Sequence, residues 1–307
     1  MGGGGAEEDA GEGAFSAVML SGDLSEWIAR LETDAALFAP ERLRARMAAL
    51  DDLDALIPES HEIRIESVFA RVVALREKLE AANGAIYAAI RDEVGRGAGA
   101  ECLRKWIAQC GDAGAPQPGL GYDHLDELIA GVLESREPVS ETVLGPEMVF
   151  YQPTPARHIL EMIRVSGLNE TDVLVDLGSG LGHVPVLASI LTGARAIGIE
   201  LDAAYVRGAR KSAQGLGLER VEFVEQDARE ADLGAGTVFH LYTPFTGGML
   251  RTVLERLRSE GERRAFRVCT LGPCAEVVAE EPWLRAMTAV DAERITCFRS
   301  REPSPSA

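Results

Sequence analysis

Residues 173–184, Val-Leu-Val-Asp-Leu-Gly-Ser-Gly-Leu-Gly-His-Val, place an apolar run directly before a glycine-rich loop. The first five residues are apolar apart from one aspartate, which predicts a buried strand. Three glycines in the loop, Gly178, Gly180 and Gly182, allow tight turns and close contact between a ligand and the backbone. The apolar residues from Val184 to Leu191 predict a helix, whose first N–H groups can bind an anionic group. The order of strand, loop and helix therefore predicts a ligand-binding loop.

Short β-branched runs alternate with predicted helices from residue 154 onward. Such alternation is typical of parallel βαβ units in a doubly wound sheet. The last two runs are separated only by residues 291–294, which are too few for a helical crossover, so we expect an antiparallel hairpin at one edge. The predicted strands are Val173–Leu177, Ala196–Ile199, Val221–Val224, Val238–Tyr242, Phe266–Leu271, Leu284–Val290 and Ile295–Phe298.

The first half of the chain shows helical patterns and no strand pattern. Between residues 15 and 135, apolar residues recur at spacings of three and four, which is typical of helices with one buried face. The predicted fold class is therefore α/β, a doubly wound sheet domain preceded by an all-helical domain. The predicted divisions are a disordered acidic tail over 1–14, the helical domain over 15–145, the sheet domain over 146–300 and a second tail over 301–307.

Two families place a glycine-rich loop after their first strand. Dinucleotide-binding dehydrogenases carry G-x-G-x-x-G, whereas this loop is G-x-G-x-G and has Asp176 two residues before its first glycine. That arrangement resembles motif I of the class I S-adenosylmethionine-dependent methyltransferases, which have a seven-stranded Rossmann-like domain. The resemblance implies that Asp176 helps to hold the ammonium group of the cofactor. It also implies that the loop accommodates the methionine and sugar parts, through Gly178, Ser179, Gly180 and Gly182.

Acidic residues also follow the second and third predicted strands. Glu200, with Leu201 after it, lies just over twenty residues beyond the glycine loop and suits the two ribose hydroxyls as a bidentate acceptor. Both families use such a residue, so Glu200 supports cofactor binding without choosing between them. Asp227 and Ala228 resemble the methyltransferase motif in which a carboxylate accepts from the adenine amino group and the next N–H reaches the ring.

The fourth predicted strand ends in a further candidate segment. Tyr242 lies at the carboxyl end of a central parallel strand, where open α/β sheets place ligands. The resemblance places Thr243, Pro244 and Phe245 beside the transferable methyl group, as substrate-binding residues. Enzymes that methylate the exocyclic amines of bases carry Asn or Asp before Pro-Pro-Tyr/Phe in this segment. Because Thr243 has no carbonyl oxygen to accept from an amino group, nucleobase methylation is disfavoured.

A second resemblance lies upstream of the glycine loop. Residues 148–158, Met-Val-Phe-Tyr-Gln-Pro-Thr-Pro-Ala-Arg-His, are similar to the Tyr-x-Pro-Ser/Thr segment of small protein-lysine methyltransferases. They are more distantly similar to the disruptor-of-telomeric-silencing enzymes. In such enzymes this segment folds over the cofactor, which implies that Tyr151 and Thr154 contact it. The alternative is a proline-rich linker whose aromatic residues pack between domains.

Composition limits the partners and the compartment. The 307 residues carry a net charge of −18, and the first 150 alone hold 13 basic and 28 acidic residues, a net of −15. Such a chain repels phosphate backbones and attracts a cationic acceptor, although acidic helix faces can also serve solubility alone. The five cysteines show no C-x-x-C spacing, so no metal site is expected. With no apolar run of 18 residues and no signal-peptide pattern, a cytoplasmic protein without a membrane partner is expected.

S-adenosylmethionine-dependent methyl transfer is the activity that these motifs imply, with S-adenosylmethionine as the cofactor. Three functions are open. The first is methylation of a small-molecule or natural-product acceptor enclosed by the helical domain, and the second is methylation of lysine in a protein. The third is a non-catalytic module that binds S-adenosylmethionine. The helical domain is expected to select the acceptor, because substrate selection usually resides in additions to a common core.

Overall fold

The computed structural model describes residues 21–55, 66–110 and 119–301. The acidic tail predicted over 1–14 lies outside the described residues, as do residues 302–307 of the predicted C-terminal tail. The chain forms two compact units, residues 1–83 and 84–307, and the boundary between them falls within one long helix.

Seven strands form one sheet in the order β3-β2-β1-β4-β5-β7-β6. The first five in that order are parallel, and β7 runs antiparallel to both β5 and β6. This arrangement confirms the predicted α/β class, the seven-stranded sheet and the hairpin at one edge. The strands are β1 Val173–Leu177, β2 Arg195–Glu200, β3 Val221–Glu225, β4 Val238–Tyr242, β5 Arg267–Leu271, β6 Leu284–Ala286 and β7 Thr296–Ser300.

The sixth strand is shorter than predicted. The apolar run to Val290 suggests seven residues, but β6 ends at Ala286. Met287 still donates its N–H to the Cys297 carbonyl at 2.7 Å. Farther along, the Thr296 hydroxyl takes the place of a backbone partner, because it donates to the Ala289 carbonyl at 3.3 Å and accepts from the Asp291 N–H at 3.1 Å. A turn stabilised by a side chain does not interrupt the apolar pattern, so the sequence does not reveal where the strand stops.

Ten α-helices lie in the described residues. The helix predicted from Val184 to Leu191 is observed as α7, one residue longer at each end, and the long α3 is one continuous helix. The helices are α1 Ser21–Thr33, α2 Leu43–Ala55, α3 Glu66–Gly95, α4 Gly99–Cys110, α5 His124–Leu133, α6 Ala156–Ser166, α7 His183–Thr192, α8 Ala203–Gly215, α9 Gly247–Gly261 and α10 Cys274–Ala279. None of the described helices is long and apolar enough to cross a membrane.

The first unit has its own hydrophobic core. Ile28, Leu53, Leu75 and Leu79 are fully enclosed there. The buried guanidinium of Arg46 donates to the Asn83 side chain at 2.7 Å and to two backbone carbonyls, so its charge is well solvated by protein groups. The assignment of the helices before residue 146 as the domain that selects the acceptor stays a prediction. Of these helices, α4 and α5 belong to the unit of residues 84–307, where α4 packs against α7 and α5 against α6.

The order of the strands reverses at β1, which fixes where a ligand can bind. From β1 the chain continues to β2 and β3 on one side, then returns to place β4 and β5 on the other. The carboxyl ends of β1 and β4 therefore diverge into a crevice, the position at which open α/β sheets bind ligands. Asp176 of β1 lies beside Gly198 of β2 and His240 of β4 in the sheet register.

The glycine loop is fixed partly by packing beneath it. Gly182 adopts φ +79°, and a Cβ atom there would lie 2.3 Å from the ring of the buried Phe223. Gly217 adopts a similar φ of +67°, but a Cβ atom there would meet nothing within 4 Å. The two glycines share a backbone conformation that disfavours side chains, and they differ in the space around them.

Gly182→Ala is expected to lower the free energy of unfolding by more than Gly217→Ala. The shared left-handed backbone costs roughly 1–2 kcal/mol in each variant. Collision with Phe223 adds about 1–3 kcal/mol in Gly182→Ala alone, as overpacking of a core does. Urea denaturation of both variants and the wild type measures the difference, and equal losses would contradict the packing role of Gly182.

Candidate active site

A cavity of about 440 Å³ opens at the carboxyl ends of β1, β2, β3 and β4. This volume lies within the range of small-molecule sites, which is about 300–1,000 Å³. Twelve of the fifteen site residues predicted from the sequence line the cavity. They are Tyr151, Thr154, Asp176, Gly178, Ser179, Glu200, Leu201, Asp227, Ala228, Tyr242, Pro244 and Phe245.

The other three predicted residues lie next to the cavity without lining it. Gly180 contributes its backbone N–H to a lining residue, and Gly182 packs on Phe223. The buried hydroxyl of Thr243 donates to the Leu271 carbonyl at 2.9 Å and accepts from the Cys274 N–H at 3.2 Å. The side chain of Thr243 thus joins the end of β4 to the turn after β5, where its bonds are to protein backbone.

Glu200 connects the ends of two strands. One carboxylate oxygen accepts from the Gly180 N–H at 2.9 Å, and the other accepts from the Asp202 N–H at 2.9 Å. Burial raises the pKa of Glu200, while these backbone donors act in the opposite direction. A carboxylate offers about four acceptor positions, so both oxygens of Glu200 can still accept from hydroxyl groups in the cavity.

The Asp176 carboxylate is hydrogen-bonded to His240, a residue that the sequence motifs do not indicate. The Nδ1 atom of His240 lies 2.7 Å from the Asp176 carboxylate, and both side chains are buried. Because a carboxylate only accepts, Nδ1 must carry the proton. His240 therefore fixes one side of the Asp176 carboxylate, which also lines the cavity. The signal in the sequence is weak, since a lone histidine inside an apolar strand usually has a structural role.

Asp227 has a partner outside the cavity. The guanidinium of Arg229 lies 2.6 Å from its carboxylate, and the Arg229 N–H donates to the same group at 2.8 Å. The hydrogen bonds from Arg229 lower the pKa of Asp227, so this carboxylate is ionised at neutral pH. A ligand amino group at Asp227 would share the carboxylate with Arg229.

Tyr151 covers the glycine loop. A Cβ atom on Gly180 would lie 2.0 Å from the Tyr151 ring, so only glycine allows this contact. The ring also packs on Tyr205 with centroids 4.7 Å apart, and its hydroxyl lies 3.3 Å from Nδ1 of His183. Burial lowers the pKa of His183 to about 4, so this imidazole is neutral at pH 7. These contacts place Tyr151 over the loop that follows β1.

Residues 140–151, which we call the strap, form one wall of the cavity and contribute seven of its lining residues. The second half of the strap is bound to the segment after β4, because the Val149 N–H donates to the Pro244 carbonyl at 3.2 Å and Met148 forms a β-bridge with Phe245. The Glu147 carboxylate accepts from the N–H groups of Gly248 and Met249, at 2.7 and 2.9 Å.

Asp202 anchors the first half of the strap, and the motifs do not indicate it. One oxygen accepts from the Ser140 hydroxyl and from the N–H groups of Glu141 and Thr142, at 2.6, 2.8 and 2.9 Å. Burial acts to raise the pKa of Asp202, but the Ser140 hydroxyl and the backbone donors together lower it to about 2. In the sequence Asp202 signals only a helix N-cap, since its partners lie about sixty residues away.

The cavity suits a ligand with positive charge and hydroxyl groups. Four carboxylates line it, from Asp176, Glu200, Asp202 and Asp227, and no lysine or arginine is among the described lining residues. The buried hydroxyl of Ser179 also lines it and has no hydrogen-bond partner within the described part of the chain. S-adenosylmethionine carries an ammonium group, a sulfonium and two ribose hydroxyls, which match this set of acceptors.

Comparison with known proteins gives related methyltransferases. No family model matches the chain. A solved RNA methyltransferase from Salinibacter ruber, in complex with S-adenosyl-L-homocysteine, is 31% identical over 51% of this chain and 97% of its own, with a TM-score of 0.40. A curated protein-lysine N-methyltransferase from Saccharolobus islandicus (strain REY15A) is 26% identical over 133 residues, 43% of this chain and 75% of the relative. A putative methyltransferase from Escherichia coli is 18% identical over 52% of this chain and 92% of its own, with a TM-score of 0.42.

The identity of 31% extends over nearly the whole of the Salinibacter ruber chain, and the glycine loop, Glu200 and the strand order agree with the same assignment. The chain belongs to the class I S-adenosylmethionine-dependent methyltransferases. S-adenosylmethionine is therefore the cofactor of this methyltransferase, as the motifs imply.

Glu200→Ala is expected to weaken binding of S-adenosyl-L-homocysteine about 10- to 100-fold, as the loss of a charged hydrogen bond of roughly 1.5–3 kcal/mol implies. Glu225→Ala is the matched control, because Glu225 lies opposite Glu200 in the register of β3, is exposed and does not line the cavity. Titration calorimetry gives both affinities, and circular dichroism checks the fold. Unchanged affinity in Glu200→Ala would remove Glu200 from the cofactor site.

Proposed function

We propose that this methyltransferase transfers a methyl group to the side-chain amine of lysine in a protein. The observation that carries the proposal is the negative charge of the cavity, which is lined by four carboxylates and by no described lysine or arginine. S-adenosylmethionine brings two positive groups and a carboxylate of its own, so it neutralises only part of this charge. A lysine side chain brings a positive charge on a long apolar stem and so complements both the carboxylates and the apolar walls.

Within this site we assign the cofactor contacts as the motifs imply. Asp176 holds the ammonium group, Glu200 accepts from the ribose hydroxyls, and Asp227 with Ala228 binds the adenine. When bound, S-adenosylmethionine would supply an electrophilic methyl group from its sulfonium. The lysine ammonium must first lose a proton to solvent, so that its nitrogen lone pair is free to accept that group. His240 fixes the Asp176 carboxylate for this role.

The remaining contributions of the chain are positioning and exclusion of water. Tyr151 of the strap packs on the loop after β1, which helps to exclude water from the site. Holding the two reactants in line can lower the reaction barrier by roughly 7–11 kcal/mol. Tyr151, Tyr205 and Tyr242 line the same cavity, and aromatic faces attract alkylammonium groups. We assign Pro244 and Phe245 to the acceptor side, because they follow β4 and contact the strap.

The related proteins and the net charge of the chain help to choose between lysine, a small molecule and RNA as the acceptor. The curated relative is a protein-lysine enzyme, which favours lysine over the small-molecule acceptor that the sequence placed first. The expected exclusion of nucleic acid is not supported by the comparisons, because the Salinibacter ruber protein is an RNA methyltransferase. The net charge of −18 disfavours an RNA acceptor on electrostatic grounds. A non-catalytic role is disfavoured because Asp176 and Glu200 are both present and both line the cavity.

The test uses the full chain with methyl-labelled S-adenosylmethionine and a cell lysate. We expect label in macromolecules that is released by protease, resists ribonuclease and appears as methyllysine after hydrolysis. Gly180→Val is the control, because any Cβ atom at this position collides with the Tyr151 ring. Label that ribonuclease releases, or label in the small-molecule filtrate, would contradict a lysine acceptor.

A further inference from the structure

Three apolar side chains of the strap line the cavity and yet face solvent. Phe150 is 81% exposed, Val149 43% and Leu144 36%, and all three contribute to the cavity wall. We call these three residues the apolar rim. Exposed apolar groups that are contiguous with a ligand site are typical of interaction surfaces, whereas scattered ones need no explanation.

The strap holds the apolar rim in place. The backbone immediately before Phe150 is bonded to the Pro244 carbonyl, and the next residue, Tyr151, is packed against Gly180 and Tyr205. With Tyr151 packed on the loop, the neighbouring Phe150 leaves 81% of its surface exposed to solvent. A segment whose backbone is already fixed loses less conformational entropy when a partner covers it than a mobile segment does.

We propose that the apolar rim docks an apolar side chain of a polypeptide acceptor, within two residues of the lysine that enters the cavity. This inference rests on the proposed function and adds a sequence preference to it. Because the rim and the carboxylates belong to one cavity, a single acceptor must present an apolar group beside a cation. A lysine flanked by Leu, Ile, Val, Met or Phe does so on one short peptide.

A nucleic acid fits the same surface less well. A base can stack on an exposed aromatic ring such as Phe150, which is a common mode of single-strand recognition. Each nucleotide would also bring a phosphate toward four carboxylates on a chain of net charge −18. The charges therefore favour a peptide, and stacking of a base becomes one outcome of the test.

The experiment measures kcat/KM for the full chain on synthetic peptides that each contain one lysine. In each peptide, one of the two residues before or the two residues after the lysine is Leu, Phe, Ser or Asp. All other positions are kept constant. At one or more of these positions, Leu or Phe is expected to raise kcat/KM at least about tenfold over Ser, as partial burial of one large apolar side chain implies.

Phe150→Ser is expected to abolish this preference. The preference is a ratio between peptides measured with the same variant, so a change in cofactor affinity that is common to all peptides cancels. Val143→Ser is the matched control, because Val143 is 93% exposed in the same strap and does not line the cavity; it should keep the preference. Lysine methylation without an apolar preference, or a preference that survives in Phe150→Ser, would overturn the docking role and leave the proposed function standing.

Two further outcomes separate the inference from the function on which it rests. Absence of methylation in every lysine peptide, together with label in lysate RNA or small molecules, would overturn the proposed function and the polypeptide occupant together. Methylation of single-stranded RNA oligonucleotides that Phe150→Ser abolishes would identify the rim as a base-stacking surface and would also overturn the proposal.

Discussion

The Glu200 carboxylate is the interaction on which the rest of the site depends. It accepts one N–H from the glycine loop after β1 and one from Asp202, the residue just before α8, so it ties two neighbouring strand ends together. Burying a carboxylate is unfavourable, and its raised pKa reflects that cost. The cost is tolerable only because both oxygens are hydrogen-bonded, and a ligand that adds hydroxyl donors would improve the balance further.

From Glu200 the constraint extends to the mouth of the cavity. The Asp202 backbone donates to Glu200, while the Asp202 side chain binds Ser140, Glu141 and Thr142 of the strap. At its other end the strap is fixed to the segment after β4 and to the first N–H groups of α9. One chain of hydrogen bonds therefore joins Glu200 to the strap, so a change in either one affects the other. Such coupling suits a site in which a bound cofactor must be covered before an acceptor is aligned.

How far the sequence predicts this arrangement depends on the range of each interaction. Strand β1 and the position of Asp176 follow from local pattern and from a family resemblance, and the structure places both as expected. Asp202 and His240 could not be found in this way, because their partners lie about sixty residues away and nothing local marks the pairing. Thr243 occupies the predicted position after β4, but the turn after β5 takes up its hydroxyl. The sequence also does not indicate where the first compact unit ends, because α3 continues through the boundary without a break in its helical pattern.

Hydrogen exchange of the full chain, with and without S-adenosyl-L-homocysteine, tests most directly whether the strap and the glycine loop enclose one cofactor site. The amides of residues 178–182 and 200–204 are expected to exchange more slowly with the ligand, because it bridges the two strand ends. Residues 148–151 should gain protection in the same experiment, since this part of the strap lines the same cavity. Binding of the ligand without added protection of residues 178–182 would place the cofactor elsewhere and contradict the account. Protection of the loop without protection of the strap would reduce residues 148–151 to a passive linker and remove Tyr151 from the site.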